Sequence, residues 1–308
     1  MIRIRQMSVM LLALLLLAAC GQGGTTTQPT SATAPTSAPA ATTAATAAPT
    51  AATDAPTSAP ATATDAPAAT ATTGDLPNLN GRKVVIGTDA TYPPFESVDP
   101  TSNAIVGFDV DLMNEVAKLI NIQPEFTNAA FDTIFTALQS KQYDAVMSAA
   151  TITEERQKIV AFSDPYIEVG QLVVVASGNT AVTSYTDLPN VATVGVQTGT
   201  TGETATLEEA KVPDANVKRY QTIDLAFADL ANGAIDAVVA DGPTVGNYTS
   251  QPQYTDKLTV AGAPFTTESY GIAVQQGDTE LLNAINAALA QLKENGTIDQ
   301  LKEKHNIR

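Results

Sequence analysis

Short apolar runs alternate with amphipathic stretches over most of the chain, from about Gly81 to the C-terminal residues. Short apolar runs have the length of buried strands, and apolar residues spaced three and four apart mark one face of a helix. Strands that alternate with helices in this way are typical of α/β proteins with mostly parallel sheets. We therefore predict an α/β fold that begins near Gly81.

The first series of elements runs from Lys83 to the stretch around Arg156. Asp109 is the predicted N-cap of its first helix, and Pro124 is predicted to stop that helix. Thr153 precedes two acidic residues and Arg156, which predicts a further helix start just past a strand end. A cation in the first turn opposes the helix dipole but suits a bound anion, so Arg156 is a candidate ligand contact. Strands are predicted at residues 83–87, 124–127 and 145–147, and helices at residues 109–120 and 131–140.

A second series follows an apolar strand at residues 172–176, which leaves the first series. After this series and a polar span, the chain is predicted to return near residues 261–267. The second series is predicted to contain strands at residues 194–196, 217–220 and 235–240 and helices at residues 203–210 and 222–232. The chain then closes with a strand at residues 270–274 and helices at residues 279–293 and 298–305.

One pattern occurs once in each series. Asp144 follows Leu138 and precedes Ala-Val, and Asp236 follows Leu230 with the same spacing and precedes the same pair. This repeat predicts two similar α/β lobes, joined by two crossing strands, that face each other across a cleft. The first lobe is predicted to contain residues 79–169 and 266–308, and the second lobe residues 170–265.

The N-terminal residues have the pattern of a targeting signal. Arg3 and Arg5 precede an apolar run that is too short to span a membrane as a helix. The run ends in Leu-Ala-Ala-Cys-Gly, which resembles the lipobox of bacterial lipoproteins and predicts removal of residues 1–19 and lipid on the sulfur of Cys20. An ordinary secretory signal is the alternative. Residues 20–78, rich in Ala, Thr, Pro and Ser, are predicted to be a disordered tether to the outer face of the cytoplasmic membrane.

Composition excludes several classes of function. The formal net charge is −16, which argues against nucleic acid as a partner. The sequence has one cysteine, Cys20, and one histidine, His305. Disulfide frameworks, Cys/His zinc sites and histidine-based nucleophile triads are therefore excluded, and we predict neither a metal nor another cofactor.

Polar and aromatic side chains collect where strands are predicted to end and helices to begin. Together they offer a cation, carboxylates, aromatic faces and hydroxyls, and this amphoteric chemistry suits an α-amino acid. Arg156 can bind the ligand carboxylate and Asp241 the ammonium. Each residue also has a purely structural explanation, since Asp89 and Asp241 lie in turn-like contexts, Phe131 suits a core and threonines cap helices. The candidates are Asp89, Tyr92, Phe131, Ala149, Thr151, Arg156, Gln197, Thr201 and Asp241.

Several motifs, taken in order, carry a resemblance to a known family. They are Gly-Thr-Asp-Ala-Thr-Tyr-Pro-Pro-Phe-Glu at 87–96, Gly-Phe-Asp-Val-Asp-Leu at 107–112, Asp-Ala-Val-Met at 144–147, Thr-Ile-Thr-Glu-Glu-Arg at 151–156, Phe-Ser-Asp-Pro-Tyr at 162–166 and Gly-Thr-Thr at 199–201. They resemble the polar amino acid-binding proteins of ABC importers, the family 3 solute-binding group. Its members include binders of lysine/arginine/ornithine, histidine and glutamine. The resemblance runs from about Lys83 to His305.

The resemblance implies a periplasmic-binding-protein-like fold of type II, in which two α/β sandwich lobes joined by two hinge strands close over one amino acid. On the matching positions, it implies Arg156 for the α-carboxylate, with Thr151 and Thr201 as further partners. It implies Asp241 for the α-ammonium.

The same resemblance implies which residues surround the ligand side chain. Asp89, Tyr92 and Phe131 correspond to positions around it. Ser148 and Gln197 stand where family members vary with their ligand, so the choice of amino acid is expected to depend on them.

We therefore predict a monomeric, lipid-anchored receptor that captures a polar L-amino acid with a basic or amide side chain. It would deliver this ligand to an ABC permease that works with a separate ATPase. One alternative is a cyclohexadienyl or arogenate dehydratase-like enzyme, which would need an acid such as Glu96 or Glu203 in the cleft. A second alternative is the ectodomain of an amino acid sensor.

Overall fold

The computed structural model describes residues 76–307. The predicted signal peptide at residues 1–19, Cys20 and the predicted tether up to residue 75 lie outside the described residues. Within residues 76–307, none of the helices combines the length and the apolar character that crossing a membrane requires.

Strands and helices alternate through the described part of the chain. The strands are β1 (Arg82–Thr88), β2 (Thr91–Tyr92), β3 (Glu96–Val98), β4 (Ile105–Val106), β5 (Ile122–Asn128), β6 (Ala145–Val146), β7 (Val160–Phe162), β8 (Ile167–Val169), β9 (Gln171–Ala176), β10 (Val194–Gln197), β11 (Val217–Tyr220), β12 (Ala237–Asp241), β13 (Leu258–Ala261), β14 (Glu268–Tyr270) and β15 (Ala273–Gln275). The helices are α1 (Phe108–Ile120), α2 (Phe131–Gln139), α3 (Glu154–Gln157), α4 (Thr201–Glu208), α5 (Ile223–Ala231), α6 (Gly242–Ser250), α7 (Thr279–Glu294) and α8 (Thr297–Lys304).

The first lobe is built on a five-stranded sheet with the order β5-β1-β6-β15-β7. β1 is parallel to β5 and β6, whereas β15 is antiparallel to β6 and β7. Successive side chains of a strand point to opposite faces. Ala145 belongs to the same buried cluster as Leu112 of α1 and Ile285 of α7, whereas Val146 belongs to a separate cluster with Ile134 and Leu138 of α2. Helices therefore cover both faces of this sheet.

The second lobe has a five-stranded sheet with the order β11-β10-β12-β9-β13. β10 is parallel to β11 and β12, and β9 is antiparallel to β12 and β13. Val238 belongs to the same buried cluster as Phe227 and Leu230 of α5. The next residue, Val239, belongs to a separate cluster with Val194. This sheet, too, is buried on both faces.

Two stretches of chain join the lobes and pair with each other. β8 lies between the first sheet and β9 of the second, and β14 lies between β13 of the second sheet and β15 of the first. β8 and β14 form an antiparallel pair. The predicted fold, with two α/β sandwich lobes and two hinge strands, is confirmed. The exact lobe boundaries stay a prediction.

The repeated Leu-Asp-Ala-Val pattern has the same role in both lobes. Asp144 accepts a hydrogen bond from the backbone N–H of Val85 at 2.8 Å, just before β6 begins. Asp236 accepts one from the backbone N–H of Thr193 at 2.8 Å, just before β12 begins. Each carboxylate therefore aligns an incoming strand with its parallel neighbour.

Most predicted elements are confirmed with small shifts at their ends, and the first helix ends at Ile120 as predicted, but the residues predicted to cap and to stop it do neither. α1 begins at Phe108 after Gly107, and no side chain caps it. Asp109 is fully buried and accepts hydrogen bonds from distant groups. Pro124 lies inside β5, an edge strand, where a missing N–H costs no ladder bond. The helix is instead terminated by Asn121, which is left-handed and whose N–H bonds to Ala117 O.

Three further elements differ from the prediction. α6 lies in the span that was described only as polar and for which no helix was predicted, and it buries Thr244, Val245 and Tyr248. Its Gly, Asn and Thr residues have low helix propensity, so tertiary packing overrides the local preference. The single strand predicted at residues 270–274 is divided into β14 and β15, which belong to different sheets. Between β1 and α1, where no strand was predicted, β2 and β3 pair with each other and β3 pairs with β4 in a small sheet.

Candidate functional site

A small, largely enclosed cavity lies where the two lobes meet. Every predicted site residue contributes to its wall, and one further residue, Thr200, joins them. The lining residues are Asp89, Tyr92, Phe131, Ser148, Ala149, Thr151, Arg156, Gln197, Thr200, Thr201 and Asp241.

Strand ends and helix starts place these side chains. In the first lobe, Asp89 follows β1, Ser148 comes just after β6, and Phe131 opens α2. In the second lobe, Gln197 and Asp241 end β10 and β12, and α4 begins directly after Thr200. Carboxyl ends of parallel strands and N-termini of helices meet at one edge of an α/β sheet, so each lobe presents this edge to the other.

Arg156 is the only cationic side chain among the cavity-lining residues. Thr153 caps α3 by accepting a hydrogen bond from Arg156 N, and this cap fixes the start of the helix that carries the guanidinium. The guanidinium lies 4.7 Å from the ring centre of Phe135 and 5.2 Å from that of Phe131. Burial lowers the pKa of Arg156 to about 10, so the side chain is charged at neutral pH.

The hydrogen bonds of Arg156 leave part of its donor capacity unused. Arg156 donates to the backbone oxygen of Thr151 at 2.7 Å and to that of Gly199, in the second lobe, at 3.2 Å. A guanidinium has more N–H donors than these two bonds occupy. Within residues 76–307, Arg156 forms no salt bridge with a carboxylate. A partly buried guanidinium with unused donors favours an anionic partner.

Asp241 lies on the opposite wall and is buried. It accepts hydrogen bonds from the hydroxyl of Tyr92 and, at 2.9 Å, from the amide of Gln171. Burial, followed by repulsion from Glu268, raises the pKa of Asp241 to about 7. A cationic partner in the cavity would favour its ionised form.

Asp89 and Gln197 form a second polar corner of the cavity. The amide of Gln197 donates to Asp89 at 2.6 Å, and the hydroxyl of Thr91 donates to it at 2.7 Å. Burial raises the pKa of Asp89 above its ordinary value, although both hydrogen bonds oppose this shift. A second carboxylate thus lies in the cavity wall together with Asp241.

The two lobes touch each other directly around the cavity. The hydroxyls of Thr151 and Thr201 lie 3.2 Å apart, and Tyr92 bonds Asp241 across the cleft. Tyr248 of α6 donates to the backbone oxygen of Thr91 at 3.3 Å. The structure is therefore a closed arrangement of the two lobes.

Ser148 and Ala149 form a part of the wall that has a constrained backbone. Ala149 has φ 46°, in the left-handed region, which costs about 1–3 kcal/mol for a residue other than glycine. Its N–H donates to the carboxylate of Asp109 at 2.9 Å. Ser148 accepts a hydrogen bond from Asp89 N at 2.8 Å and donates to Glu96 at 3.1 Å.

The acids considered for catalysis do not line the cavity. Glu96 is fully buried behind Ser148. Glu203 accepts hydrogen bonds from Gly199 N at 2.8 Å and from Arg219 at 2.6 Å. Within residues 76–307, no group of His, Cys, Asp or Glu side chains is arranged to hold a metal ion.

Two contributions were missed from the sequence. Thr200 was weighed only as a helix cap; it does cap α4, by accepting from Glu203 N, and it also lines the cavity. Gln171 is fully buried at the start of β9, and its amide donates to Asp241 and, at 3.0 Å, to Glu268 on the other hinge strand. An isolated glutamine at a strand start carries no sequence signal of such a role.

Comparisons with known proteins agree with this geometry. Residues 84–307 match the sequence model of the bacterial extracellular solute-binding proteins, family 3. The ABC transporter arginine-binding protein 1 of Escherichia coli K12 is 37% identical over 228 residues, which cover 72% of this chain and 90% of that protein.

Two solved structures are similar to this chain along almost their whole length. An ancestral arginine-binding protein bound to glutamine superposes with a TM-score of 0.68 and 41% identity, covering 73% of this chain and 98% of that chain. An ancestral amino acid-binding protein described as a precursor of cyclohexadienyl dehydratase superposes with a TM-score of 0.66 and 39% identity, covering 72% of this chain and 95% of that chain.

Proposed function

Because the chain belongs to the bacterial extracellular solute-binding proteins of family 3, we propose that it captures a polar L-amino acid and delivers it to an ABC permease. The permease would work with its ATPase, and both would be separate chains. The main observation behind this proposal is that one cavity is lined by a cation from the first lobe, Arg156, and by a carboxylate from the second lobe, Asp241. This arrangement matches the two charges that every α-amino acid has at neutral pH.

The backbone of the ligand would be held by both lobes. Arg156 would receive the α-carboxylate through its unused N–H groups, with the hydroxyls of Thr151 and Thr201 as further donors. Asp241 would receive the α-ammonium, assisted by Tyr92. Since these residues come from both lobes, the ligand would stabilise the closed arrangement.

The ligand side chain would extend toward Asp89 and Gln197. A basic side chain would gain a buried ion pair with Asp89, whereas an amide side chain would gain only hydrogen bonds there. The wall carries two carboxylates, Asp89 and Asp241, against one cation, Arg156. A ligand of net charge +1, such as arginine, balances this set, so we propose a basic amino acid before an amide.

We propose a binding role without catalysis. The two acids considered as catalytic groups of a dehydratase, Glu96 and Glu203, do not contribute to the cavity wall, and the two acids that do, Asp89 and Asp241, are assigned here to the ligand side chain and the ligand ammonium. The precursor of cyclohexadienyl dehydratase among the similar structures is itself described as an amino acid-binding protein. A sensor ectodomain would use the same binding chemistry with a signalling partner in place of the permease.

We also propose that the chain acts as a monomer at the outer face of the cytoplasmic membrane. Lipid on Cys20 would anchor it, and residues 20–78 would tether the folded part. The lipobox pattern of residues 17–21 supports this anchoring. Metabolic labelling with a radioactive fatty acid tests it, with Cys20→Ser as the matched control that should lose the label.

The binding proposal is tested by thermal unfolding of the full chain with each of the twenty standard amino acids and ornithine. Arginine, lysine, histidine or ornithine should raise the melting temperature most, and glutamine less. The proposal is wrong if none of these ligands changes the melting temperature and none produces heat in a calorimeter.

A further inference from the structure

Two carboxyl side chains lie fully buried behind the Ser148–Ala149 part of the cavity wall. Glu96 is the first residue of β3, and Asp109 is the second residue of α1. Both are 0% exposed, and neither lines the cavity. We call Glu96 and Asp109 the acidic pair.

The backbone brings the acidic pair together. The first N–H groups of α1 bond to the segment before β3: Phe108 N donates to Pro94 O, and Asp109 N to Phe95 O, each at 3.0 Å. Gly107 permits this approach, because a Cβ atom there would lie 2.1 Å from Phe95 O and its φ is 143°. The contact of the two carboxyl groups is therefore fixed by the fold.

The two acids have unequal partners. Asp109 accepts hydrogen bonds from Ala149 N at 2.9 Å and from the hydroxyl of Tyr166 at 2.9 and 3.0 Å. It also lies in the first turn of a 13-residue helix, whose dipole favours a negative charge there. Glu96 accepts a hydrogen bond from Ser148, and no N–H or hydroxyl donor reaches its Oε2, so that the proton of a neutral Glu96 is free to bond to Asp109. The surroundings therefore stabilise a charge on Asp109 better than one on Glu96.

No cation compensates the acidic pair. The titratable groups that face Glu96 are Asp109 on α1 and Asp89 after β1, and Tyr166 faces the pair through Asp109. Within residues 76–307, neither acid forms a salt bridge. Burial, together with repulsion from Asp109 and Asp89, raises the pKa of Glu96 well above its ordinary value. Burial raises the pKa of Asp109 to about 6. Two adjacent buried carboxyl groups cannot both ionise near neutral pH.

We propose that Glu96 is a positioning residue of the binding site, which remains a neutral carboxylic acid at neutral pH and thereby holds the Ser148–Ala149 wall in place. The role in ligand binding rests on the proposed function. Neutral Glu96 allows Asp109 to stay ionised and to hold the left-handed Ala149 through its N–H. Ser148, bonded to Glu96, accepts from Asp89 N and so fixes the residue that faces the ligand side chain.

The proposal predicts a specific alkaline effect. When the proton leaves Glu96, a second negative charge appears beside Asp109 in a place without a cation, and the two charges repel. A group whose pKa is raised in the folded protein stabilises that state at low pH and loses this contribution as the pH rises through the raised pKa. Folding stability of the wild type should therefore fall as the pH rises from the ordinary carboxyl pKa toward the raised pKa of Glu96, and ligand affinity should fall where Glu96 loses its proton.

The test compares the full wild-type chain with Glu96→Gln, which keeps the size and hydrogen bonding of the side chain but cannot ionise. L-arginine is titrated by calorimetry between about pH 7 and about pH 9.5. Near pH 7 the Kd values of the two proteins for L-arginine should agree within about threefold. As the pH rises to about 9.5, the Kd of the wild type should increase at least about threefold more than the Kd of the variant. Both proteins bind the same ligand, so titration of the ligand ammonium cancels. Glu303→Gln, an exposed acid on α8, is the matched control and should follow the wild type.

Parallel pH profiles for wild type and Glu96→Gln would overturn the proposal, as would an equal loss of affinity at every pH. If L-arginine does not bind, the proposed function fails separately, and thermal unfolding of the ligand-free chain decides: as the pH rises from mildly acidic values, the melting temperature of the wild type should fall more than that of Glu96→Gln, and equal falls would overturn the proposal. If Glu96→Gln does not fold, the infrared spectrum of the wild type decides. A neutral carboxylic acid band that persists above neutral pH supports the proposal, and its absence contradicts it.

Discussion

The role assigned to Arg156 makes the sharpest quantitative prediction. In the closed structure the guanidinium of Arg156 donates two hydrogen bonds, to the backbone oxygens of Thr151 and Gly199, and its other N–H groups make none. A ligand carboxylate would accept charge-assisted bonds that contribute about 1.5–3 kcal/mol each. In Arg156→Ala, hydrogen bonds from Thr151 and Thr201 to the ligand carboxylate would replace part of this free energy. We therefore expect a loss of at least about 2 kcal/mol, which is about thirtyfold in Kd.

The assay is a double-mutant cycle measured by calorimetry on the full chain. One arm changes Arg156→Ala, and the other replaces L-arginine by L-argininamide, whose carboxylate is a neutral amide. If Arg156 binds the carboxylate, the two changes should be strongly coupled, by at least about 1.5 kcal/mol. Arg82→Ala is the control, because Arg82 does not line the cavity and instead forms a salt bridge with Asp278, with an N–O distance of 2.6 Å. It should lower stability but not affinity.

Two results would refute the reasoning about Arg156. In one, Arg156→Ala binds L-arginine within about threefold of the wild type. In the other, the substitution weakens L-arginine and L-argininamide equally, which would mean that the guanidinium only supports the closed structure through Phe131 and Gly199.

Three other predictions follow from the same structure. Because the pKa of Asp241 is about 7 and only the ionised form pairs with an ammonium group, the Kd of L-arginine should be about tenfold weaker near pH 6 than near pH 8, and Asp241→Asn should lose this step in calorimetric titrations. Asp89→Asn should weaken L-arginine more than L-glutamine by at least about tenfold, and equal losses would remove Asp89 from the side-chain pocket. Gly107→Ala should lower the free energy of unfolding in urea by at least about 2 kcal/mol, because of its φ and the clash with Phe95 O, whereas Gly246→Ala, in an open helical position, should not destabilise.

The sequence was most informative where local rules act. The cap at Thr153, the short strand that begins at Ala145 and the repeated Asp-Ala-Val pattern depend on neighbours in the chain, and the structure has each of them. The cavity-lining set was predictable for a related reason, since strand ends and helix starts meet at one edge of each lobe.

Long-range packing explains what the sequence did not predict. Asp109 has the pattern of a helix cap, but its carboxylate bonds to Ala149 and Tyr166, forty or more residues away in the chain. α6 forms despite low helix propensity, because Val245 and Tyr248 are buried against the second lobe. Neither contact leaves a local trace in the sequence.

The most direct test of the central claim is a crystal structure of the full chain with L-arginine. We predict one ligand in the cavity, with its carboxylate at hydrogen-bond distance from Arg156 and its ammonium next to Asp241. The guanidinium of the bound L-arginine should face Asp89. A ligand bound outside this cavity, or inside it with the carboxylate turned away from Arg156, would contradict the account.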